Sequence, residues 1–373
     1  MAGARIGCLD GLRGAAALWV LIGHAMLLTG FHVPLLSSPD LAVDLFILLS
    51  GFLMAYHAER SRDDQSRPAT WTKFWAKRFF RIAPVYYIAL AAALALGPML
   101  YGDRMDIAAV LPGQAQESGR YLDHSLGNIV AHVSFVFGQV PKYSYQTALP
   151  DWSIGLEMAF YAVFPFLMIA ARRVGYVSMA MGATALCVGA SMAFPQVFAA
   201  FPMPSFLPLK LNVFLSGMLV AASLTASGGR RWTMLGAGAA LALLQLRGFS
   251  LEAAVVHLAC YALLVVLADH ERFPLSQVTR PIADLLGSRP AWLLGEASYS
   301  VYLLHLLLVI PAAAVAVQWS ANPAIRCAAL LLFVVPVVYA LAWPLHIWVE
   351  KPGIRLGKAL ITRQAKSVAA PAE

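Results

Sequence analysis

Ten apolar segments, bounded by proline, glycine or charged residues, dominate the sequence. They cover 11–31, 41–58, 80–100, 152–171, 175–194, 208–226, 232–247, 251–268, 292–318 and 326–348. A helix needs about 20 apolar residues to cross the hydrocarbon core of a bilayer. Hydrophobic residues make up 60% of the chain and charged residues only 12%, against about 25% in soluble domains. The sequence therefore predicts an all-α polytopic membrane protein with about ten transmembrane helices.

The basic residues indicate the orientation of these helices. With the N-terminus in the cytoplasm, 21 of the 27 lysines and arginines fall in segments predicted to lie inside. This asymmetry follows the positive-inside rule and predicts that both termini are cytoplasmic. Topology thus explains the net charge of +8, and we expect no nucleic-acid partner. An apolar segment at 125–140, within a long outer segment, is interpreted as either interfacial or re-entrant. A full span there would invert the orientation of every later helix, against the positive-inside rule.

The chain is expected to form one domain. We predict a single transmembrane domain over residues 1–352 and a disordered cytoplasmic tail over 353–373. The four cysteines are scattered, without the CxxC spacing of a metal site, so neither a metal nor a disulfide framework is predicted. The closing WVEKPG places Glu350 and Lys351 where we expect them to meet water.

The first apolar segment, LDGLRGAAALWVLIGHAMLLTGF, carries three ionisable side chains on one stripe. At 100° per residue, Asp10, Arg13 and His24 face nearly the same way, and Arg13 lies roughly 16 Å from His24 along the axis. Ionisable groups at membrane depth are functional candidates, because facing lipid is costly. The alternative is an interfacial cap at Asp10 and Arg13 with a packing histidine.

Two carboxylates are predicted at the depth of His24. Asp44 follows the start of the second span, and Glu157 shares one face of the fourth span with Ser153 and Tyr161. A carboxylate beside a histidine fixes its tautomer and stabilises the imidazolium, which makes the ring a better general base. The alternatives are a helix cap at Asp44 and a structural hydrogen bond at Glu157.

The segment WTKFWAKRFFRIAPVYY, before the third span, combines basic and aromatic residues. It places Arg78 and Arg81 one helical turn apart at the predicted cytoplasmic surface. Arginine offers bidentate donors to phosphate oxygens, and aromatic rings offer a stacking surface for a nucleotide base. The alternative is an amphipathic helix lying on acidic lipid.

The ninth span contains a further polar stripe. Ser298, Tyr302 and His305 follow one another at helical spacing in LGEASYSVYLLHLLLVIP. Together with Ser153 and Tyr161, this stripe is a candidate lining for a passage between Arg13 and His24. A hydrogen-bonded packing histidine fits His305 equally well.

Six motifs, taken together, resemble the acyltransferase-3 family of integral-membrane acyltransferases. In chain order they are LDGLRGAAALWVLIGH, VDLFILLSGFLM, KRFFRIAPVYY, WSIGLEMAFYAVFP, LGEASYSVYLLH and EKP. The resemblance implies transfer of an acyl group, commonly acetyl, from cytoplasmic acyl-CoA to a hydroxyl of a glycan or glycolipid at the outer face. It identifies His24, Arg13, the pair Arg78 and Arg81, and Glu157 as the family's motif residues. No tightly bound cofactor is implied, and a bacterial inner membrane is the expected location.

These expectations give one mechanistic hypothesis and one alternative. Acyl-CoA binds through Arg13, Arg78 and Arg81, near Asp10, and His24 acts as general base with support from Asp44 or Glu157. The alternative is a transporter or flippase for a lipid-linked sugar, although the sequence shows none of the internal repeats typical of transporters.

Overall fold

The computed structural model describes residues 7–61, 67–269 and 276–369, and this part of the chain is helical without strands. The helices are α1 (Gly7–Thr29), α2 (Pro39–Arg60), α3 (Pro68–Val110), α4 (Gly119–Leu122), α5 (Leu126–Val133), α6 (Trp152–Val174), α7 (Tyr176–Ala193), α8 (Pro195–Ala199), α9 (Leu211–Ser223), α10 (Gly228–Leu243), α11 (Leu251–Ala268), α12 (Ser276–Gly287), α13 (Arg289–Glu296), α14 (Ser298–Trp319), α15 (Pro323–Leu345) and α16 (Lys351–Ala369). A π-helical turn, His346–Glu350, joins α15 to α16. The predicted all-α fold is confirmed.

Eight helical segments in the described part of the chain are long and apolar enough to cross a membrane. They are α1, α2, α3, α6, α7, α11, α14 and the continuous segment from α15 to Thr362 of α16. The segments predicted at 208–226 and 232–247 form α9 and α10, which have 13 and 16 residues. At 1.5 Å per residue these helices are about 20 and 24 Å long, less than the ~30 Å hydrocarbon core. The protein is a multi-pass integral membrane protein, as predicted.

Helix α3 is much longer than the span predicted inside it. It has 43 residues, and the predicted span at 80–100 forms its middle. Pro84 and Pro98 lie within the helix, and each removes one backbone donor. Because α3 continues beyond both ends of the predicted span, it carries side chains to both surfaces of the protein.

Two predicted segments are divided differently in the structure. The segment predicted at 292–318 is broken at Ala297, where Ser298 Oγ donates to the carbonyl oxygen of Gly295 at 2.7 Å. The apolar piece at 125–140 contains α5, a helix of eight residues. A helix of that length extends about 12 Å, so it does not cross the membrane and does not invert the topology.

The C-terminal segment differs from the expected disordered tail. The backbone continues as α16 to Ala369, and residues 370–373 lie outside the described residues. A Cβ atom at Gly353 would lie 2.9 Å from the Phe80 carbonyl oxygen, and one at Gly357 would lie 2.7 Å from Phe80 Cβ. The first turns of α16 therefore pack directly against α3, which explains why this part of the tail is ordered.

Helix α1 lies at the centre of the molecule and packs against α2, α13, α14 and α15. A Cβ atom at Gly14 would lie 2.6 Å from the backbone nitrogen of Gly295, and one at Gly295 would lie 2.1 Å from the Asp10 carbonyl oxygen. Glycine lets helix backbones approach closely in membranes, where packing rather than the hydrophobic effect holds helices together. These contacts fix α1 against α13.

Candidate active site

Two cavities lie along α1, one towards each end. The larger, of about 680 Å³, is lined by His24 and is called the His24 cavity. The smaller, of about 530 Å³, is lined by Arg13 and is called the Arg13 cavity. Both cavities also receive side chains from α3, because Arg104 lines the first, and Arg78 and Arg81 line the second.

The positions of these arginines place the cavities towards opposite surfaces of the membrane. Arg78 and Arg104 are 26 residues apart on one helix, which corresponds to about 39 Å along the axis. This length exceeds the ~30 Å hydrocarbon core. On α1, Arg13 and His24 are separated by roughly 16 Å, with Arg13 on the side of Arg78 and His24 on the side of Arg104.

The hydrogen bonds of His24 define its tautomer. Nδ1 lies 2.9 Å from the Val20 carbonyl oxygen and 3.2 Å from Nε2 of His305, whose own Nδ1 lies 2.6 Å from the Tyr302 carbonyl oxygen. A carbonyl oxygen only accepts, so both rings carry their proton on Nδ1, and Nε2 of His305 accepts. The lone pair of His24 is therefore on Nε2, in a ring that lines the His24 cavity.

A layer of polar and aromatic side chains separates the two cavities beside His24. Tyr302 donates to the Pro150 carbonyl oxygen at 2.6 Å, and its oxygen lies 2.7 Å from Ser153 Oγ. Ser153 and Tyr302 line the Arg13 cavity, whereas His305 is fully buried and contacts His24. Of the stripe predicted on the ninth span, Ser298 lines the Arg13 cavity, whereas Tyr302 and His305 lie where the two cavities approach each other.

Asp44 lines the His24 cavity but has partners other than His24. Its carboxylate lies 2.7 Å from Lys210 Nζ and 2.7 Å from His257 Nε2. The expected pairing of Asp44 with His24 is therefore not formed. Asp44 instead connects α2 to the segment before α9 and to α11.

Glu157 lies in the Arg13 cavity rather than beside His24. Ser50 donates to its Oε1 atom at 3.0 Å, and Tyr161, one turn further along α6, donates a hydrogen bond to the same atom. The predicted stripe of Ser153, Glu157 and Tyr161 does line one cavity. The support of His24 predicted from a carboxylate comes instead from His305.

Three arginines enter the Arg13 cavity without ion pairs. Across the described residues, no carboxylate oxygen lies within 4 Å of the guanidinium nitrogens of Arg13, Arg78 or Arg81. Burying such charges is costly unless a counterion is supplied. The cavity is therefore suited to an anionic ligand.

The carboxylates on the opposite wall of the Arg13 cavity have other partners. His346 Nδ1 lies 2.8 Å from Glu350 and its Nε2 lies 3.5 Å from Glu296, which also pairs with Lys351 Nζ at 3.5 Å. Glu350 is 3% exposed, so the expectation that it meets water is wrong. Asp10 and Ser298 line this cavity as well.

The aromatic residues of the basic segment pack against α6. Phe74 stacks on Phe164 with ring centroids 5.1 Å apart, and Trp75 Nε1 donates to the Tyr161 carbonyl oxygen at 2.9 Å. Lys77 is exposed, whereas Arg78 lines the Arg13 cavity. Packing on α6 thus directs Arg78 and Arg81 into the protein. An amphipathic helix lying on acidic lipid, the alternative interpretation, would not need this packing.

Several lining residues were not predicted from the sequence. They include Lys210, His257, Arg104, Arg120 and His346. His257 and Arg104 each interrupt an apolar helix, and this pattern could have identified them from the sequence. Lys210 and Arg120 lie in loop regions or short helices, where their burial depends on contacts distant in the chain.

Comparison with known proteins assigns the family. The acyltransferase domain that defines the acyltransferase-3 family matches residues 6–343, nearly the whole chain. The chain belongs to the acyltransferase-3 family. It is therefore a membrane-bound O-acyltransferase, and membership supports acyl transfer rather than the transport alternative. The sequence resemblance is confirmed.

Curated relatives carry names consistent with this family. The chain is 28% identical to the exopolysaccharide production protein ExoZ of Rhizobium meliloti (strain 1021) over 360 residues, 91% of this chain and 96% of ExoZ. It is 34% identical over 164 residues to BcsY of Komagataeibacter xylinus, which carries the name of a membrane-bound transacylase, and 29% identical over 215 residues to the acyltransferase MdmB of Streptomyces mycarofaciens. These matches cover 43% and 53% of this chain, and 36% of BcsY and 48% of MdmB. No solved structure matches the chain.

Proposed function

We propose that the protein transfers an acyl group, most simply acetyl, from acyl-CoA in the Arg13 cavity to a glycan or glycolipid hydroxyl in the His24 cavity. One observation carries this proposal. His24 presents an unprotonated Nε2 at one cavity, while the same helix contributes Arg13 to a cavity whose three arginines have no carboxylate within 4 Å among the described residues. A base and an anion site at opposite ends of one helix suit a donor and an acceptor that arrive from different sides.

The donor fits the Arg13 cavity by charge. Arg78, Arg81 and Arg13 supply guanidinium donors, which bind phosphate oxygens more strongly than neutral donors do. Positive-inside topology supports a cytoplasmic position for this cavity, where acyl-CoA is available. The pantetheine arm then extends roughly 16 Å along α1, past Tyr302 and Ser153, to bring the thioester to His24.

The reaction requires one base. His24 Nε2 accepts the acceptor's hydroxyl proton as the oxygen attacks the thioester carbon. The new carbon–oxygen bond forms, the carbon–sulfur bond breaks, and the CoA thiolate takes the proton from the imidazolium. The Val20 carbonyl oxygen and His305 Nε2 hold the proton on Nδ1 throughout.

The acceptor class rests on the relatives. ExoZ, aligned over almost the whole chain, is named for exopolysaccharide production. We infer a cell-envelope glycan or its lipid-linked precursor as acceptor, and a bacterial inner membrane as the location. Acyl-CoA, the glycan and the bilayer are then the partners of the protein.

The test follows label from [¹⁴C]acetyl-CoA into the glycan fraction of inverted membrane vesicles that contain the full chain. His24→Ala should abolish incorporation while retaining binding of acetyl-CoA. His32→Ala changes an exposed histidine and is the control, expected to behave as wild type. Incorporation retained in His24→Ala would contradict the base assignment, and sugar movement without acylation in the wild type would favour transport.

A further inference from the structure

The His24 cavity contains two buried arginines that the proposed reaction does not use. Arg104, near the end of α3, is 6% exposed, and Arg120, in α4, is 7% exposed. Both line the cavity together with His24. A guanidinium remains protonated at any physiological pH, so two positive charges are fixed in this part of the cavity wall.

In the part of the chain that the structure describes, these two side chains bind neutral groups only. Arg104 Nη2 donates to Gln114 Oε1 at 3.4 Å, and Arg104 Nε has no acceptor among the described residues. Arg120 donates to three acceptors, which are the Thr147 carbonyl oxygen at 3.2 Å, Gln116 Oε1 at 3.1 Å and the Tyr145 hydroxyl oxygen. Across the described ranges, neither guanidinium has a carboxylate oxygen within 4 Å.

The neighbouring carboxylates are held by other groups. Asp44 pairs with Lys210 and His257 across the cavity. Asp40 and Glu252 also line the cavity, and Glu252 accepts from the Leu35 amide at 3.3 Å. Asp151 accepts from Tyr86 at 3.1 Å and from Thr147 at 2.8 Å, and His132 Nε2 lies 3.7 Å from its carboxylate. A buried charge is destabilising when its counterion is missing. The arrangement therefore leaves room for an anion from outside the protein.

We propose that the acceptor is an acidic glycan, whose carboxylate or phosphate binds Arg104 and Arg120 while its hydroxyl reaches His24. This inference rests on the proposed function, because it takes the His24 cavity as the acceptor's side. The Tyr145 ring centroid lies 3.8 Å from the Arg120 guanidinium carbon, and Trp152 also lines the cavity. Aromatic rings with polar edges suit a sugar, whose faces are apolar and whose rim is polar.

A binding measurement tests the inference without acyl transfer. The full chain in nanodiscs is titrated with two acidic tetrasaccharides, one of galacturonate and one of glucuronate, and with the carboxyl-reduced form of each. Glucose 1-phosphate is a separate arm that distinguishes a phosphate from a uronate as the anion. We expect at least one acidic probe to bind about tenfold or more tightly than its neutral counterpart, with a difference that falls as salt is raised.

Variants then locate the binding. Arg104→Gln and Arg120→Gln should each remove the preference for the acidic probe, whereas Arg120→Lys should retain part of it. Lys142→Gln changes an exposed cation on the same side of the protein and should keep the full preference. A wild type that binds every acidic probe no better than its neutral form would overturn the inference, as would Arg104→Gln and Arg120→Gln variants that keep the preference.

A separate readout keeps this result apart from the proposed function. Binding of a non-hydrolysable acetyl-CoA analogue is measured on the same samples and should be unchanged in both glutamine variants. Loss of analogue binding together with probe binding would indicate general misfolding of that variant. If a variant does not fold, the wild-type comparison of acidic and carboxyl-reduced probes still decides. The acetyl-transfer assay with His24→Ala fails or succeeds independently of these titrations.

Discussion

His305 Nε2 lies 3.2 Å from His24 Nδ1, although the two residues are 281 positions apart in the chain. The contact joins α1 to α14 across the layer between the two cavities. A neutral imidazole here takes the orienting position that a carboxylate was predicted to occupy. His305 lines neither cavity, and we therefore propose that it positions His24 rather than contacting substrate.

Replacing His305 should reduce kcat without weakening donor binding. In His305→Leu one of the two acceptors of the His24 Nδ1 proton is lost while the Val20 carbonyl oxygen remains. We therefore expect kcat for acyl transfer to fall about 10- to 100-fold, less than the ~10²–10⁴-fold that a general base contributes as a whole. His305→Gln offers Oε1 as a substitute acceptor and should recover much of the rate. Steady-state kinetics with [¹⁴C]acetyl-CoA check both. A rise in KM with unchanged kcat would contradict the positioning role.

Neutralising the arginines of the Arg13 cavity should weaken donor binding. We expect Arg78→Gln and Arg81→Gln to raise the KM for acetyl-CoA about 10- to 100-fold each, since hydrogen bonds to charged groups contribute about 1.5–3 kcal/mol. Lys77→Gln is the matched control, because Lys77 adjoins Arg78 but is exposed. Titration with an acetyl-CoA analogue measures the affinity directly, and equal affinities in all three variants would refute the donor site.

Removing one hydroxyl should loosen the barrier between the cavities. Tyr302→Phe keeps the ring but loses the bonds to the Pro150 carbonyl oxygen and Ser153 Oγ. We expect a fall in stability of about 1 kcal/mol. We also expect faster hydrolysis of acetyl-CoA in the absence of acceptor, because water from the His24 cavity then reaches thioesters that have not yet passed the layer. Thiol release without a glycan measures this leak. Hydrolysis at the wild-type rate would show that the hydroxyl does not seal the layer.

The ion pair at Asp44 should matter for stability. Lys210→Met removes one of two partners of a buried carboxylate, and breaking buried pairs costs about 3–5 kcal/mol. The double variant Asp44→Asn, Lys210→Met should recover part of that loss, because no charge is then left uncompensated. Thermal unfolding in detergent compares the two variants. A double variant less stable than Lys210→Met would contradict this account.

The contact between α2 and α9 should not tolerate an added methyl group. A Cβ atom at Gly217 would lie 2.1 Å from the Leu48 carbonyl oxygen, and one at Gly51 would lie 2.0 Å from that of Phe214. Gly217→Ala should therefore destabilise the fold by about 1–3 kcal/mol or more, as overpacking does. Gly182→Ala is the control, since its Cβ meets no atom within 4 Å. Equal melting temperatures would refute the close approach.

The sequence predicted those features that depend on local pattern. Apolar segments longer than a helical span indicated the helices, and helical spacing placed Ser153, Glu157 and Tyr161 on one cavity wall. The alignment of Arg13 and His24 on α1 followed from the helix repeat alone. Each inference needed only neighbours within about three helical turns of the same element.

Side-chain partners from distant elements were not predictable in this way. Depth along each helix suggested that Asp44 supports His24, yet Asp44 pairs with Lys210, 166 positions away. Glu157 was assigned to the same site, yet the crossing of α6 directs it to the Arg13 cavity. Helix crossing and rotation determine such partners, and a single sequence carries no measure of either.

The length of α3 has a thermodynamic consequence. This helix presents Arg78 to one cavity and Arg104 to the other. Any tilt or bend at Pro84 or Pro98 that alters one cavity shifts side chains in the other as well. If donor binding favours one such geometry, linkage requires acceptor binding to favour it by the same free energy. The affinities for a donor and an acceptor that enter from opposite sides of the membrane thereby depend on the geometry of one helix.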